Sequence, residues 1–295
     1  MSTGATRHAI LQIRWGRMAY QKALVAPGQV LKVGRSESAG LAVPHDQQLA
    51  ELQFEIAWSG RRAWMHDLGS PSGTLLEGEK VEQGEVVNGS WLRAGQTDFS
   101  VYLERSTPPR EPLQPDPPEW VSRKAQALEL LRGQQTPLYA ILDAARDERI
   151  LELLQESVEE YDSLYEGTQG EALARVAPYL VSLPRKDSWL LEALVQEGWT
   201  ASWGVYLTSA LPFIKLRRHL RKFLMVEAEG VEGRLYFRFY DPRVLGVFLP
   251  TCPAESRKDF LGEIERFIFS GSNEEPVVMG STEDTQRPAP PERKG

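Results

Sequence analysis

Hydrophobic and polar positions change their period along this chain. Up to about residue 106 the apolar residues come in short runs between turn signals: LQIRW, QVLKVG, FEIAW, AWMHDL, TLLEG, EVVNG and FSVYLE. Period-two runs of this kind mark half-buried strands, and nothing in the stretch sustains a helical period. The pattern predicts an all-β sandwich of short strands over residues 1–106. The next stretch, TPPREPLQPDPPE (residues 107–119), is too rich in proline for the interior of a helix or sheet. It predicts a semi-rigid, polyproline-like spacer. Val121, Ala125, Leu128 and Leu131 follow at helical spacing and Gly133 ends them. Residues 107–135 thus read as a proline-rich linker with a short lead-in helix.

Beyond residue 135 the two periods alternate. Leu138 to Ala144 reads as a buried strand, and Ile150, Leu151, Leu153 and Leu154 form a helix stripe capped by Asp147. SLYEG, YLVSL, WGVYLTS and FLMVEA are further strand-like runs. The helix DSWLLEALVQEG begins at Asp187 and stops at Gly198. This alternation predicts a mixed α/β domain over residues 136–270. Its C-terminal segment DFLGEIERFIF reads as helical, with Phe260, Ile264, Phe267 and Ile268 on one face. Residues 271–295 end in PAPPERKG and are expected to be disordered.

The most informative stretch of this second domain is LYFRFYDPRVLGVFLP, residues 235–250. Leu235, Phe237 and Phe239 alternate with Tyr236, Arg238 and Tyr240, the signature of a strand. Asp241 then caps a helix whose first position is Pro242, and Val244, Leu245 and Phe248 continue at helical spacing. The corner gathers Arg238, Asp241 and Arg243. Upstream, KLRRHLRK sets Leu216, Leu220 and Phe223 on one helical face and Arg217, Arg218, Arg221 and Lys222 on the other. An internal pairing of Asp241 with Arg217 or Arg221 is one use for these charges, and recognition of a partner is another.

Charge and composition narrow the function. The 295 residues carry a net charge of −7, which argues against nonspecific binding to nucleic acid or anionic membrane. One cysteine, Cys252, makes no intramolecular disulfide, and no apolar run approaches the roughly 20 residues of a membrane span, so a soluble cytoplasmic protein is expected. His8, His45, His66 and His219 lie in separate segments without metal-ligand spacing, and His219 reads as a packing or capping residue. There is no Gly-rich phosphate loop and no GxSxG elbow. Trp64, Trp91, Trp189, Trp199 and Trp203 sit among apolar neighbours and read as core. No catalytic residues, no metal and no cofactor are expected, and the chain reads as a non-enzyme.

Two resemblances add to this. PLYAILDAARD, VAPYLVSL, EGWTASWGVYLTS, LRRHLRKFL and YFRFYDPRVLGVFLP resemble, in order and spacing, the domain of unknown function of Tap/Tec-type adaptors. These are chaperones that load toxic effectors onto the spike of the type VI secretion system of Gram-negative bacteria. The resemblance implies two protein partners, an effector and a VgrG-type spike protein; neither nucleic acid nor membrane is expected as a partner, on the charge and hydropathy above. Within that reading the basic helix and the corner are the expected recognition surface or its scaffold, which makes Arg217, Arg218, Arg221, Lys222, Arg238, Asp241 and Arg243 the expected partner-binding set.

The first hundred residues resemble a forkhead-associated (FHA) domain, a sandwich that reads phosphothreonine. Gly34-Arg35 matches its first loop, HDLGSPSGT from His66 its second, and LRAGQ from Leu92 its late turn. The usual Ser, Arg and His of the intervening loop are here Ala50, Glu51 and Gln53, and the usual Asn is Ser72. Arg35, Ala50, Gln53, Ser70, Ser72 and Thr74 therefore form a degenerate phosphopeptide site, since phosphothreonine needs several charge-assisted donors. The expected role of this domain is a docking platform. The alternative is a phosphothreonine-dependent signalling scaffold.

Overall fold

A computed structural model describes residues 7–110, 114–184, 187–227 and 234–280. The chain divides into two compact units, residues 1–108 with 152–160 and residues 109–151 with 161–295.

The first unit is built from short strands, beginning with β1 (Ala9–Ile13), β2 (Lys22–Val25), β3 (Val30–Gly34), β4 (Leu41–Ala42), β5 (Phe54–Trp58) and β6 (Ala63–Asp67). They continue with β7 (Thr74–Leu76), β8 (Glu79–Val81), β9 (Gln83–Val86), β10 (Trp91–Ala94) and β11 (Thr97–Leu103). One sheet has the order β2-β1-β11-β10-β7-β8 and the other β4-β3-β5-β6-β9, giving the expected sandwich. Alternation decides which side chains go inward. Phe54, Ile56 and Trp58 of β5 and Ala63 and Met65 of β6 are buried. Phe54 from one sheet meets Phe99 from the other edge-to-face, with ring centroids 5.4 Å apart. The same alternation turns Trp64 outward to 43% exposure, so it is not a core residue.

Residues 152–160 belong to this unit. The Lys22 ammonium donates to the carbonyls of Leu154 (2.8 Å), Ser157 (2.6 Å) and Glu159 (3.2 Å). Burial pushes its pKa down to about 7 against the pull of Glu159. Glu156 accepts from the Asn88 amide and from the backbone and hydroxyl of Thr107.

The second unit opens with α1 (Pro118–Arg132) and β12 (Leu138–Asp143); α2 (Arg149–Gln155) begins in it and ends in residues 152–155 of the first; then come β13 (Tyr161–Ser163), α3 (Gly167–Ala172) and β14 (Pro178–Ser182). There follow α4 (Trp189–Gly198), β15 (Gly204–Ser209), α5 (Phe213–Arg221), β16 (Met225–Glu227) and β17 (Arg234–Tyr236). It closes with α6 (Pro242–Thr251), α7 (Ala254–Leu261), β18 (Ile264–Ser270) and β19 (Pro276–Gly280). The main sheet runs β13-β14-β12-β15-β18-β19 and every pair in it is antiparallel. β12 lies in its middle and is buried at every position. One face packs Ile141, Val205, Leu207 and Phe267 against Phe213, Leu216 and Leu220 of α5, Leu245 and Leu249 of α6, and Phe260 of α7. Phe260 is the hub of an aromatic cluster, within 6.1 Å of the rings of Phe223, Phe237, Phe239, Phe248 and Phe267.

Several expectations change here. The helix predicted over DFLGEIERFIF stops at Leu261, where Gly262 takes φ +52°, and Ile264–Ser270 is a strand. An apolar run of this length fits either state, and pairing with β15 and β19 selects the strand. Residues 276–280, expected to be disordered, form the edge strand β19, while residues 281–295 lie outside the described residues. The strand predicted over residues 235–240 ends at Tyr236 and pairs only with β16. Its two faces do not separate inside from outside: Leu235 and Tyr236 are exposed while Phe239 and Tyr240 are both buried. Tyr161–Ser163 rather than SLYEG supplies the strand β13, and Ser188 rather than Asp187 caps α4 by accepting from the backbone of Leu190. In α1 the buried face carries Lys124 instead of Ala125, because Lys124 donates to Asp116 and to the Gln196 carbonyl, both at 2.6 Å. Among the described residues no helix is long and apolar enough to cross a membrane.

Candidate functional site

In the first unit the site residues surround Gln53 and Asp67. Gln53 is fully buried, and its amide oxygen accepts from the backbone of Ala50 at 2.9 Å. Its NH2 group donates to Ser70 Oγ (2.7 Å) and the Gly73 carbonyl (2.9 Å), with longer contacts to Ser72 and Thr74. Ser70 and Thr74 accept these because each hydroxyl gives its own proton to Asp67 Oδ2, at 2.7 and 2.6 Å. The backbone of Gly69 and Ser70 adds two more donors to Asp67. Burial works to raise the Asp67 pKa, but the Thr74 and Ser70 hydroxyls and the two amides hold it below the usual carboxylate value.

A hydroxyl has one proton to give. Those of Ser70 and Thr74 are spent inside the loop, so neither donates to a phosphate in this arrangement. Gln53, standing where the resemblance places a bracing His, does the bracing with a neutral amide. Arg35 is paired with the Gln47 side-chain oxygen at 3.1 Å, and Ala50 offers no hydroxyl. Gly34 is required for a close approach: a Cβ there would lie 2.1 Å from the Glu51 carbonyl oxygen. The residues expected to form a site are thus brought together, but as a self-satisfied loop.

The corner of the second unit is held by charge. Asp241 caps α6 by accepting from the Arg243 backbone at 3.0 Å, as the sequence predicts. Its carboxylate also takes Arg243 Nη2 at 2.7 Å and Arg146 Nη2 at 2.5 Å. The anticipated pairing of Asp241 with Arg217 or Arg221 does not occur. Arg238 pairs instead with the buried Asp143, at the end of β12. Burial works to raise the Asp241 pKa, but the Arg243 side chain and backbone, with the positive charge of Arg146, bring it down to about 2. Arg146, three residues beyond the end of β12, is a partner the sequence did not indicate.

Arg217 and Arg221 face a different loop. Arg217 donates to the Ser163 carbonyl (2.7 Å) and pairs with Asp162 (3.1 Å) and Glu166 (2.9 Å). Arg221 donates to the Leu164 carbonyl at 2.9 Å and pairs with Glu166. Burial pushes Asp162 up to about 6 against the pull of Arg217. Both arginines therefore anchor residues 162–166, and the adjacent Tyr165 packs edge-to-face on Tyr236 at 6.1 Å. His219 packs as expected: its Nε2 donates to the Phe260 carbonyl at 2.8 Å, and its ring meets Phe223. Of the expected partner-binding set, Arg217, Arg221 and Asp241 are built into the fold. Arg218, Lys222, Arg238 and Arg243 reach solvent.

Beside Arg238, Leu235 and Tyr236 are 43% and 60% exposed, and on α6 Val247 is 67% exposed one turn after Arg243. Among the described residues no three His, Cys, Asp or Glu side chains are grouped to hold a metal ion.

Comparison with known proteins places both units. Residues 31–95 match the model of the FHA domain, and residues 138–259 match that of a domain of unknown function, DUF4123. No curated protein sequence matches the chain. Among solved structures, the FHA domain of the Chlamydia trachomatis protein CT664 is 19% identical, covering 32% of this chain and 96% of its own, with a TM-score of 0.30. The FhaA FHA domain, solved with the intracellular domain of Rv3910, is 26% identical over 32% of this chain and 98% of its own, with a TM-score of 0.29. An FHA domain from an Arabidopsis thaliana hypothetical protein is 21% identical over 36% and 92%, with a TM-score of 0.32. On the family models, the chain carries an FHA domain at residues 31–95 and, at residues 138–259, a DUF4123 domain, the domain of Tap/Tec-type type VI secretion adaptors; together they support a protein-interaction role.

Proposed function

We propose that this protein is a non-enzymatic cytoplasmic adaptor that binds a type VI secretion effector and helps load it onto a VgrG-type spike protein. The observation that carries the reading is the surface of the DUF4123 unit around the corner. There the exposed apolar residues Leu235, Tyr236 and Val247 stand beside the solvent-reaching Arg238 and Arg243. Aromatic and arginine side chains are the residues most enriched at the energetic centres of protein interfaces. The carboxylates beneath them, Asp143 and Asp241, are themselves buried, and their ion pairs hold the two arginines at the surface. Arg218 and Lys222 on α5 offer the partner a second, basic contact.

The FHA unit, in this reading, docks a protein without regard to phosphorylation, because its loop hydroxyls are spent on Asp67. Phosphothreonine peptides and their unmodified forms are expected to bind equally in a peptide screen. A strong preference for the phosphorylated forms that Arg35→Ala abolishes would instead support the signalling-scaffold reading.

The test of the adaptor role is a pull-down of the tagged full chain from a type VI-positive bacterium, followed by mass spectrometry. Retention of a toxin, lost in Tyr236→Ala combined with Arg238→Ala but not in the untouched chain, supports the proposal. Retention of no secreted protein under any growth condition that assembles the apparatus would sink it.

A further inference from the structure

Helix α5 carries two sets of cations with opposite fates. Arg217 and Arg221 are neutralised by Asp162 and Glu166. Lys215, Arg218 and Lys222 lie on the other side of the helix, where they line a surface cavity of about 240 Å³ with Leu211, Gly262 and Glu263. None of the three cations forms an ion pair or side-chain hydrogen bond among the described residues. Glu263 is the one acidic residue lining the cavity. An unneutralised cluster is unexpected in a chain whose net charge is −7.

The cavity has a defined wall. His219, which also lines it, is held by the bond from Nε2 to the Phe260 carbonyl and by its ring contact with Phe223. A carbonyl only accepts, so Nε2 carries the proton. Gly262 lies against the same ring: a Cβ there would come within 2.7 Å of His219 Cε1. A residue with a side chain at position 262 would therefore displace the wall, apart from the strain of its φ of +52°. Leu211 supplies an apolar surface at the cavity, and Ile214, 68% exposed, stands one turn before Arg218 on the outside of the helix.

We infer that this groove binds an acidic peptide segment of a protein partner, its carboxylates meeting Lys215, Arg218 and Lys222 and its apolar side chains meeting Leu211 and Ile214. Charge complementarity favours this occupant, since like-charged segments are excluded and opposite ones are steered in. The apolar positions favour a polypeptide over a bare polyanion. The inference deepens the adaptor reading by giving the chemistry of one contact, and it rests on that reading for the partner's identity alone.

The experiment uses the full chain and a short fluorescein-labelled peptide of glutamate, serine and leucine, read by fluorescence anisotropy. A matched peptide carries glutamine in place of glutamate, and an unlabelled oligothymidylate serves as competitor. The glutamate peptide is expected to bind, and more weakly as salt rises toward about 0.15 M. The glutamine peptide, and the Lys215→Ala, Arg218→Ala, Lys222→Ala triple variant, are each expected to bind at least about tenfold more weakly. Thermal melting confirms that the triple variant is folded, and the single reversal Arg218→Glu repeats the test with the least disturbance. Equal binding of the glutamine peptide, unchanged binding by the triple variant, or competition by oligothymidylate at equal concentration would each overturn the inference. No effector is needed for this measurement. Peptide binding without retention of any effector from cells would therefore defeat the adaptor reading and leave the groove assignment standing.

Discussion

In the FHA unit, Gln53, Ser70 and Thr74 converge on a single carboxylate, Asp67, through a neutral amide and two hydroxyls. In the DUF4123 unit, three arginines, Arg146, Arg238 and Arg243, converge on two carboxylates, Asp143 and Asp241. Both arrangements order a loop, but their remainders differ. The first consumes its donors: each hydroxyl proton goes inward and no cation is part of the cluster. The second leaves positive charge over, and Arg238 and Arg243 carry it to the surface. A hydrogen-bonded cluster that is satisfied within itself has little to offer a charged ligand. An ion-pair cluster with more cations than anions both holds the chain and presents positive charge to solvent.

The sharpest way to break this comparison is to remove Asp241. Asp241→Ala leaves Arg146 and Arg243 without their shared carboxylate and α6 without its cap. A loss of about 3 kcal/mol is expected, because an uncompensated charge remains partly buried. A melting temperature equal to that of the unmodified chain would show that the cluster is not structural.

Gln53→Ala should come next, at about 2 kcal/mol, the cost of stranding buried polar partners. Unlike Asp241→Ala, it should also loosen the 69–74 loop, read as faster amide hydrogen exchange there. If exchange in that loop is unchanged, the amide is not what braces it.

Acid gives a smaller effect with a definite sign. The folded pKa of Asp241 is about 2 against an ordinary 3.8, so its contribution is fully present above about pH 4 and fades as pH falls toward 2. Unfolding monitored between these values should show the contribution fading in the unmodified chain and no such component in Asp241→Asn. Identical pH profiles for the two would contradict the assigned pairing.

Smallest of all is the stability effect of reversing Arg218 and Lys222 together to glutamate. Among the described residues neither is paired, so the change should stay within about 0.5 kcal/mol in thermal melts. The same variant is expected to lose its effector in pull-downs. A large drop in melting temperature would mean that the free side of α5 is needed for the fold.

Much of the fold is legible in local pattern. FEIAW and AWMHDL alternate, and β5 and β6 bury every second residue, although that same alternation turns Trp64 outward. Asp241-Pro242 starts α6, and Leu216 and Leu220 are the inner face of α5. Each of these rests on a period or a cap, an interaction that acts within a few residues. The candidate site is legible only in part, because residue type does not reveal which charges are already paired. Gln53 departs from the FHA motif, and only its hydrogen bond to Ser70 shows that it braces the loop.

What the tertiary structure alone decided joins residues far apart in the chain. Asp241 finds Arg146 across 95 positions, and Arg217 finds Glu166 across 51. Ile264–Ser270 becomes a strand because β15 and β19 offer backbone partners on both sides. Leu235 and Tyr236 are exposed because their hairpin with β16 pairs apart from the main sheet. The sequence by itself determined the periods, the caps and the total charge. Which arginines are consumed and which remain at the surface was settled by packing, since a charge is neutralised only by what the folded chain brings within a few ångströms.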